Sequence, residues 1–466
     1  MRIVHLATEF APMAKAGGLG EVMVGLAREL TRLGHQVDLI LPKYDFISTA
    51  KFKLEVSDFK CISNSNKIWQ GTVEGCRLHL LEADYFHREQ IYGCDDDIPR
   101  FIYFSRAALE YLKLKKEPID VLHLHDWHVS LCAPLVKDLF KELQVKTVVL
   151  SIHNLEYQGK CAASDLDAIG MRGADYLTPD RLQDNNPKFP KTINLLKGGI
   201  VYADAIIPVS PSYAKEILSP EYGFNLDVTL RGVRGKITGI LNGIDTTLWD
   251  PAHDPALSAC YTVASAHKGK EANRKHFKLD PSKRPWVGAI ARLVPQKGPE
   301  LLEAAIKKTV EMGGTFLLLG SSPIPKIQDH FNQLKTFYKG SAQVFLCYDH
   351  SEVLAHLIYA CSDLLIVPSH FEPCGLTQLT AMRYGTVPIV RSTGGLKDTV
   401  FEGKNGFCFS DATVASMNSA LMRAFQLFRS DPAAFQNLMR HGMESDWSWK
   451  QPAQEYLKVY RERITG

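Results

Sequence analysis

The sequence predicts an α/β protein of two doubly wound domains whose open, mostly parallel sheets face each other across a cleft. Three observations carry this. A β-rich run followed by helical spacing recurs along the first half of the chain, and the same alternation starts again near residue 285. At 466 residues the chain exceeds what one hydrophobic core usually covers. The apolar runs also end in polar or glycine-bearing loops, where open α/β sheets bind their ligands.

A β-rich run over residues 2–8 leads into the loop 9–20, EFAPMAKAGGLG. Val22, Leu26, Leu30 and Leu33 then share one face at helical period, and Gly34 can cap that helix. QVDLILP is the next strand. VLHLHD (121–126), TVVLSIHN (147–154) and AIIPVS (205–210) are further strands, each closed by polar residues. Residues 235–285 carry NGID, WDPAHDP and DPSKRP and read as a junction. The second half supplies WVGAIARL, TFLLLG, AQVFLCY, LLIVPS and TVPIV, separated by helical segments. The expected division is an N-terminal domain over 1–240, a C-terminal domain over 241–446, and an aromatic helix over 447–466 that packs back on the N-terminal domain.

Composition narrows the function. Hydrophobic content of 45% and charged content of 23% are those of a soluble globular protein. The net charge of +3 is dispersed, and the one basic run, KLKK at 113–116, reads as a solvated helix end, which disfavours nucleic acid. Ten cysteines without a C-x-x-C pair point to reduced thiols, with neither a disulfide framework nor a zinc site. No apolar run reaches the ~20 residues of a membrane span, and MRIVHLATEF lacks a signal-peptide pattern. A cytoplasmic protein without metal or cofactor is expected.

Chemistry concentrates in the loops. Residues 368–400 read as a strand end, a loop with Glu372, a helix, a strand, and a second loop with Gly394 and Gly395. Leu376 and Thr377 offer unpaired N–H groups at a helix start, and Gly394 and Gly395 are expected to do likewise. Lys15, Gly17, Gly18 and Gly20 lie in the first strand-to-helix turn, where backbone N–H groups and a lysine suit an anion. A tight turn alone would give the same spacing. Arg292 and Lys297 follow a strand end and suit a departing diphosphate. Together these features point to a phosphorylated sugar or nucleotide sugar. His153 and Asn154 end one strand, and Asp126 and His128 follow another. Asp95, Asp96 and Asp97 read as solvated turn residues, and Cys374 as an incidental thiol beside the site.

With these motifs in place, the chain resembles the bacterial glycogen synthases and plant starch synthases, which are retaining GT-B glycosyltransferases. The resemblance rests on KAGGLGEV (15–22), HLHDWHVSL (123–131), SIHNLEYQG (151–159), NLLKGGIVYAD (194–204), GILNGIDTTLWDP (239–251), ARLVPQKG (291–298), SHFEPCGLTQLTAMRYG (369–385) and STGGLKD (392–398). It implies two Rossmann-like domains with the active site between them, and transfer of glucose from a nucleoside diphosphate glucose to the non-reducing end of an α-1,4-glucan. It further implies that Lys15, Gly17 and Gly18 contact the donor, and that Arg292 and Lys297 hold its diphosphate. Glu372 binds glucose hydroxyls, Leu376 and Thr377 meet the distal phosphate, and Gly394 and Gly395 order glucose or phosphate. The backbone carbonyl of His153 faces the anomeric carbon. Asp126, Asn154 and Asn242 are secondary sugar or acceptor contacts, and Tyr348 a nucleotide contact.

Departures from the family pattern are Ala16 and Glu21, where threonine and aspartate are usual, and Leu357 and His370, where arginine is common. They leave adenine against uracil open, with ADP-glucose favoured by the family alone. Thr380 stands where many GT-B relatives acting on smaller acceptors carry a second glutamate, which favours the glucan synthases. Two alternatives remain: a GT-B transferase with another acceptor or UDP-glucose as donor, and a silent glucan-binding protein.

Overall fold

The computed structural model describes residues 1–465. Contacts divide the chain into two compact units, one joining Met1–Gly243 to the stretch from Trp449 onward, the other being Ile244–Ser448. The sequence reading puts these divisions at 240 and 446.

The first unit contains β1 (Arg2–Leu6), β2 (Gln36–Pro42), β3 (Lys53–Cys61), β4 (Asn64–Val73), β5 (Cys76–Glu82), β6 (Ile119–His125), β7 (Val145–Ile152), the short pair β8 (Lys160–Ala162) and β9 (Thr192–Asn194), and β10 (Ala205–Pro208). Eight of these form one sheet in the order β10-β7-β6-β1-β2-β5-β4-β3. It is parallel from β10 to β5, and β4 runs antiparallel to both β5 and β3. The parallel strands are covered on both faces, which is why they read as unbroken apolar runs. The edge meander is half exposed: in β3 only Phe59 and Cys61 are buried. Its β4–β5 turn places Glu74 and Gly75 at φ 53° and 81°, as a two-residue hairpin loop requires.

The helix Gly18–Arg32 buries Val22, Leu26 and Leu30, and ends where Gly34, at φ 83°, donates to the carbonyl of Thr31. The helix Lys450–Thr465 packs against it and against β7. There Tyr456 and Tyr460 are fully buried, and the Tyr460 hydroxyl lies 2.7 Å from His123 Nδ1. Trp449 fills the space above Gly25, where a β-carbon would fall 2.0 Å from the indole nitrogen.

The second unit contains β11 (Trp286–Ile290), β12 (Thr315–Leu319), β13 (Val344–Cys347), β14 (Leu364–Val367), β15 (Val387–Arg391) and β16 (Phe407–Phe409). Its sheet is wholly parallel in the order β13-β12-β11-β14-β15-β16, with an apolar core on each face. Residues 244–285, expected as junction, are integral to this unit. Trp249, Tyr261 and Phe277 enter its core. The helix Ala266–Arg274 buries Lys270, which donates to the carbonyl of Ser362 and to Thr386 Oγ1, and Arg274, which pairs with Asp363. Proline- and aspartate-rich composition masks such a segment because its aromatic anchors come singly, without a period.

Both sheets start in the middle, run out to one side, and return to the other. The order reverses between β1 and β6 in the first unit and between β11 and β14 in the second. At such a reversal the connections leave in opposite directions and open a crevice beyond the strand ends.

Candidate active site

In the second unit, Lys297 lies beyond the end of β11 and Glu372 beyond the end of its neighbour β14. Lys297 Nζ donates to Glu372 Oε2 at 2.6 Å, and Ser369 Oγ donates to the same oxygen at 2.8 Å. The acid is buried, so the cation and the hydroxyl compensate its desolvation. The loops that carry the pair are themselves joined. The N–H of His370 donates to the carbonyl of Gln296, and Gln296 Nε2 to that of Phe371. Gly298 is at φ 63°, and a β-carbon there would fall 2.7 Å from the carbonyl oxygen of Pro368. Arg292 is exposed.

One glycine of the next loop, Gly395, does not offer its N–H as expected. The Gly395 N–H donates to the carbonyl of Glu372 at 3.0 Å, so it is engaged within the protein and not offered to a ligand. A β-carbon on Gly394 would fall 2.0 Å from Glu372 O, and one on Gly395 2.2 Å from Cys374 O. These residues let the second loop press its backbone against the first and fix the Glu372 turn. Leu376 and Thr377 open the helix Thr377–Arg383, and their N–H groups make no hydrogen bond among the described residues. Cys374 is buried. Tyr348 stands apart, beyond β13 and two strands from β11, with its hydroxyl donating to the carbonyl of Phe331 at 2.5 Å. His370 pairs with Glu300 at 2.6 Å, and Leu357 is a core residue.

In the first unit the loop after β1 is organised by Glu9, which the sequence reading did not single out. Its Oε2 accepts from the N–H groups of Ala16 and Gly17 at 2.8 and 2.9 Å, and its Oε1 accepts from the Tyr92 hydroxyl at 2.8 Å. The Gly17 N–H, expected to face a donor, is thus engaged by a buried carboxylate. The signal was available: an acid opening a glycine loop has backbone N–H groups within reach. Gly18 begins the helix Gly18–Arg32. Lys15 pairs with Glu21 at 2.8 Å, so the longer acid at that position holds the lysine.

Asp126 follows β6, across the reversal from β1, at φ 61° and ψ −175°. That region is nearly closed to side-chain-bearing residues and costs about 1–3 kcal/mol. Its Oδ1 accepts from the N–H groups of His153 and Asn154 at 2.7 and 3.3 Å. This carboxylate oxygen therefore shapes the turn beyond β7. His153 Nε2 lies 3.0 Å from His125 Nδ1, and burial pushes His153 down to about 3, so its ring is neutral. Asn154 Oδ1 accepts from the N–H of Glu156. Asn242 is buried, and its Oδ1 has no partner among the described residues. Asp97, expected in a solvated turn, instead opens the helix Asp97–Lys115 and pairs with buried Arg100 at 2.5 Å, while Asp96 pairs with Arg88.

Comparison with known proteins places this geometry. The family model described as "Starch synthase catalytic domain" matches residues 2–232, and that described as "Glycosyl transferases group 1" matches 271–431. The chain is 45% identical to "Glycogen synthase" of Protochlamydia amoebophila, over 99% of both chains. The chain belongs to the glycogen synthase and starch synthase family. It is 43% identical to "Probable starch synthase 4, chloroplastic/amyloplastic" of Arabidopsis thaliana, covering 99% of this chain and 47% of that one. The solved catalytic domain of starch synthase IV from Arabidopsis thaliana, bound to ADP and acarbose, superposes with a TM-score of 0.94 at 42% identity, covering 100% of this chain and 99% of that one. A sucrose-phosphate synthase from Thermosynechococcus elongatus shares the fold, with a TM-score of 0.65 at 20% identity. Both units of this glycosyltransferase are Rossmann-like, and the fold is GT-B.

One property of this family member is open to measurement now. Burial pushes the Asp126 carboxyl up to about 7, against the two N–H bonds that lower it. An unfolded aspartate titrates near ~3.9. Between these values the folded chain holds the extra proton, so this contribution to stability is complete below the lower value and lost as pH rises through the upper. Asp126→Asn should therefore gain on the parent as pH rises from 4 to 7, by at most about 1.4 kcal/mol per pH unit. Urea unfolding of both proteins at several pH values measures it. A pH-independent difference contradicts a buried, raised carboxyl.

Proposed function

We propose that the chain transfers glucose, with retention, from ADP-glucose to the non-reducing end of an α-1,4-glucan. The observation that carries this reading is the Lys297–Glu372 pair at the β11–β14 reversal, 2.6 Å apart, on a loop that leads into Leu376 and Thr377, whose N–H groups make no hydrogen bond among the described residues. A diphosphate draws Lys297 and Arg292 to itself, and Glu372 then accepts hydrogen bonds from glucose hydroxyls. Lys15 contacts the donor, and His153 contributes its backbone carbonyl to the positive charge at the anomeric carbon. The identity to a synthase solved with ADP supports the adenine nucleotide.

The partners of Glu372 support retention without a covalent enzyme intermediate. Lys297 and Ser369 both donate to the Glu372 side chain. Retaining glycosidases use two carboxylates about 5 Å apart, and no second acid pairs with this one among the described residues. An oxygen of the departing diphosphate can take the proton of the acceptor hydroxyl instead. The bond from the anomeric carbon to phosphate breaks as the bond to the acceptor oxygen forms on the same face. Cations that stabilise the leaving diphosphate are then the main protein contribution.

No helix among the described residues is long and apolar enough to cross a membrane, and all ten cysteines are free thiols. Free thiols support a reducing compartment such as the cytoplasm. The direct test incubates purified protein with glycogen and either ADP-glucose or UDP-glucose, then follows nucleotide release and chain growth. ADP release matched by glucan lengthening is expected, with UDP-glucose the poorer donor. Nucleotide release without lengthening, or neither with both donors, rejects the proposal.

A further inference from the structure

His5 on β1, His125 at the end of β6 and His153 beyond β7 form a hydrogen-bonded row across three neighbouring strands. His5 Nδ1 lies 3.0 Å from His125 Nε2, and His125 Nδ1 lies 3.0 Å from His153 Nε2. Burial holds His5 and His153 near about 3 and His125 well below its ordinary value, so all three rings are neutral and each carries one N–H. His123 stays outside the row, its nitrogens facing Ser151 Oγ at 2.8 Å and the Tyr460 hydroxyl at 2.7 Å.

Three protons on three rings leave the row two complete arrangements. Either every ring is protonated on Nε2, or every ring is protonated on Nδ1; any mixture breaks a link or sets two N–H groups against each other. The ends decide between them. His5 Nε2 is buried and has no partner among the described residues. Protonated there, it would be a buried orphan donor, which proteins tolerate less well than an unmet acceptor. The arrangement with Nδ1–H throughout leaves only a bare nitrogen at that end. At the other end, His153 is half-buried, and its Nδ1 makes no hydrogen bond among the described residues.

We propose that His5 and His125 are positioning residues that fix the tautomer of His153, so that its ring presents an Nδ1–H donor to a hydroxyl of the bound sugar. The inference rests on the placement of His153 in the proposed transfer, but the tautomer itself can be measured without turnover. A ring able to flip between donor and acceptor would meet a sugar hydroxyl with either polarity; a locked one offers a single polarity.

The test uses full-length protein labelled with 15N-histidine and long-range 1H–15N correlation spectra, with His5→Gln, His125→Gln and His153→Gln assigning the signals. The expected result is a protonated Nδ1 and a bare Nε2 on all three rings. A protonated Nε2 on His153, or a mixture, overturns the proposal even if glucosyl transfer is observed. If the tautomer is as expected and transfer is absent, the functional reading fails and the lock stands. A second arm compares His5→Leu, which removes the donor to His125, with His5→Asn, whose amide can replace it. His5→Leu should give a mixed His153 tautomer and about tenfold lower kcat at little-changed donor KM, and His5→Asn should recover most of both. Equal behaviour of the two folded variants overturns the lock. Should His5→Leu fail to fold, the spectra of the parent protein still decide.

Discussion

Lys297→Ala is expected to lower turnover by roughly 10²–10³-fold while leaving the fold intact, the range seen when one electrostatic donor to a developing anion is removed. The structure adds a second effect. Lys297 is the ionic partner of Glu372, whose side chain is only 7% exposed. Its loss leaves a buried carboxylate with Ser369 Oγ as its one side-chain donor among the described residues. Breaking a buried pair from one side typically costs about 3–5 kcal/mol, and the partial exposure of Lys297 puts this case toward or below the low end. The check is kcat for glucosyl transfer together with a thermal melt. Parental turnover in a folded variant removes the diphosphate role.

Glu372→Gln should depress the rate for a different reason. Hydrogen bonds to a charged acceptor contribute about 1.5–3 kcal/mol, so loss of the charge should lower kcat/KM by roughly one to two orders of magnitude. The glutamine preserves shape, and the backbone carbonyl that accepts from Gly395 is unchanged, so the turn should persist. Combining the two substitutions separates the roles. Stability should be non-additive, because the double variant no longer buries an unpaired carboxylate. Near-parental transfer by Glu372→Gln, or strictly additive stabilities, contradicts the pairing as a functional unit.

The parts of the fold legible in the sequence were those whose burial is uniform. β1, β2, β6, β7 and the strands of the second sheet are apolar on both faces and stand out as runs. The meander β3–β5 did not, because its outer strand is largely exposed and carries a charge or polar group at most positions. The loops bearing the candidate site were legible because glycine, acid and cation cluster at strand ends. Their pairings were not. Lys297 and Glu372 are 75 positions apart and meet because β11 and β14 are neighbours, which strand order alone decides. The engagement of Gly17 by Glu9 and of Gly395 by Glu372 was hidden for another reason. Glycine-rich loops look alike whether their N–H groups face a ligand or another part of the chain, and only the fold distinguishes the two.

The return of the chain to the first unit at Trp449 has a consequence for biosynthesis. The second unit, Ile244–Ser448, is an insertion within the first, and its sequence is continuous. On the ribosome it emerges whole before the residues that complete its predecessor. The first sheet is by then fully synthesised, yet the faces later covered by Trp449, Tyr456 and Tyr460 are still bare. The domain made first is thus finished last, and the helix Lys450–Thr465 acts as a seal that closes only after the second unit has been made.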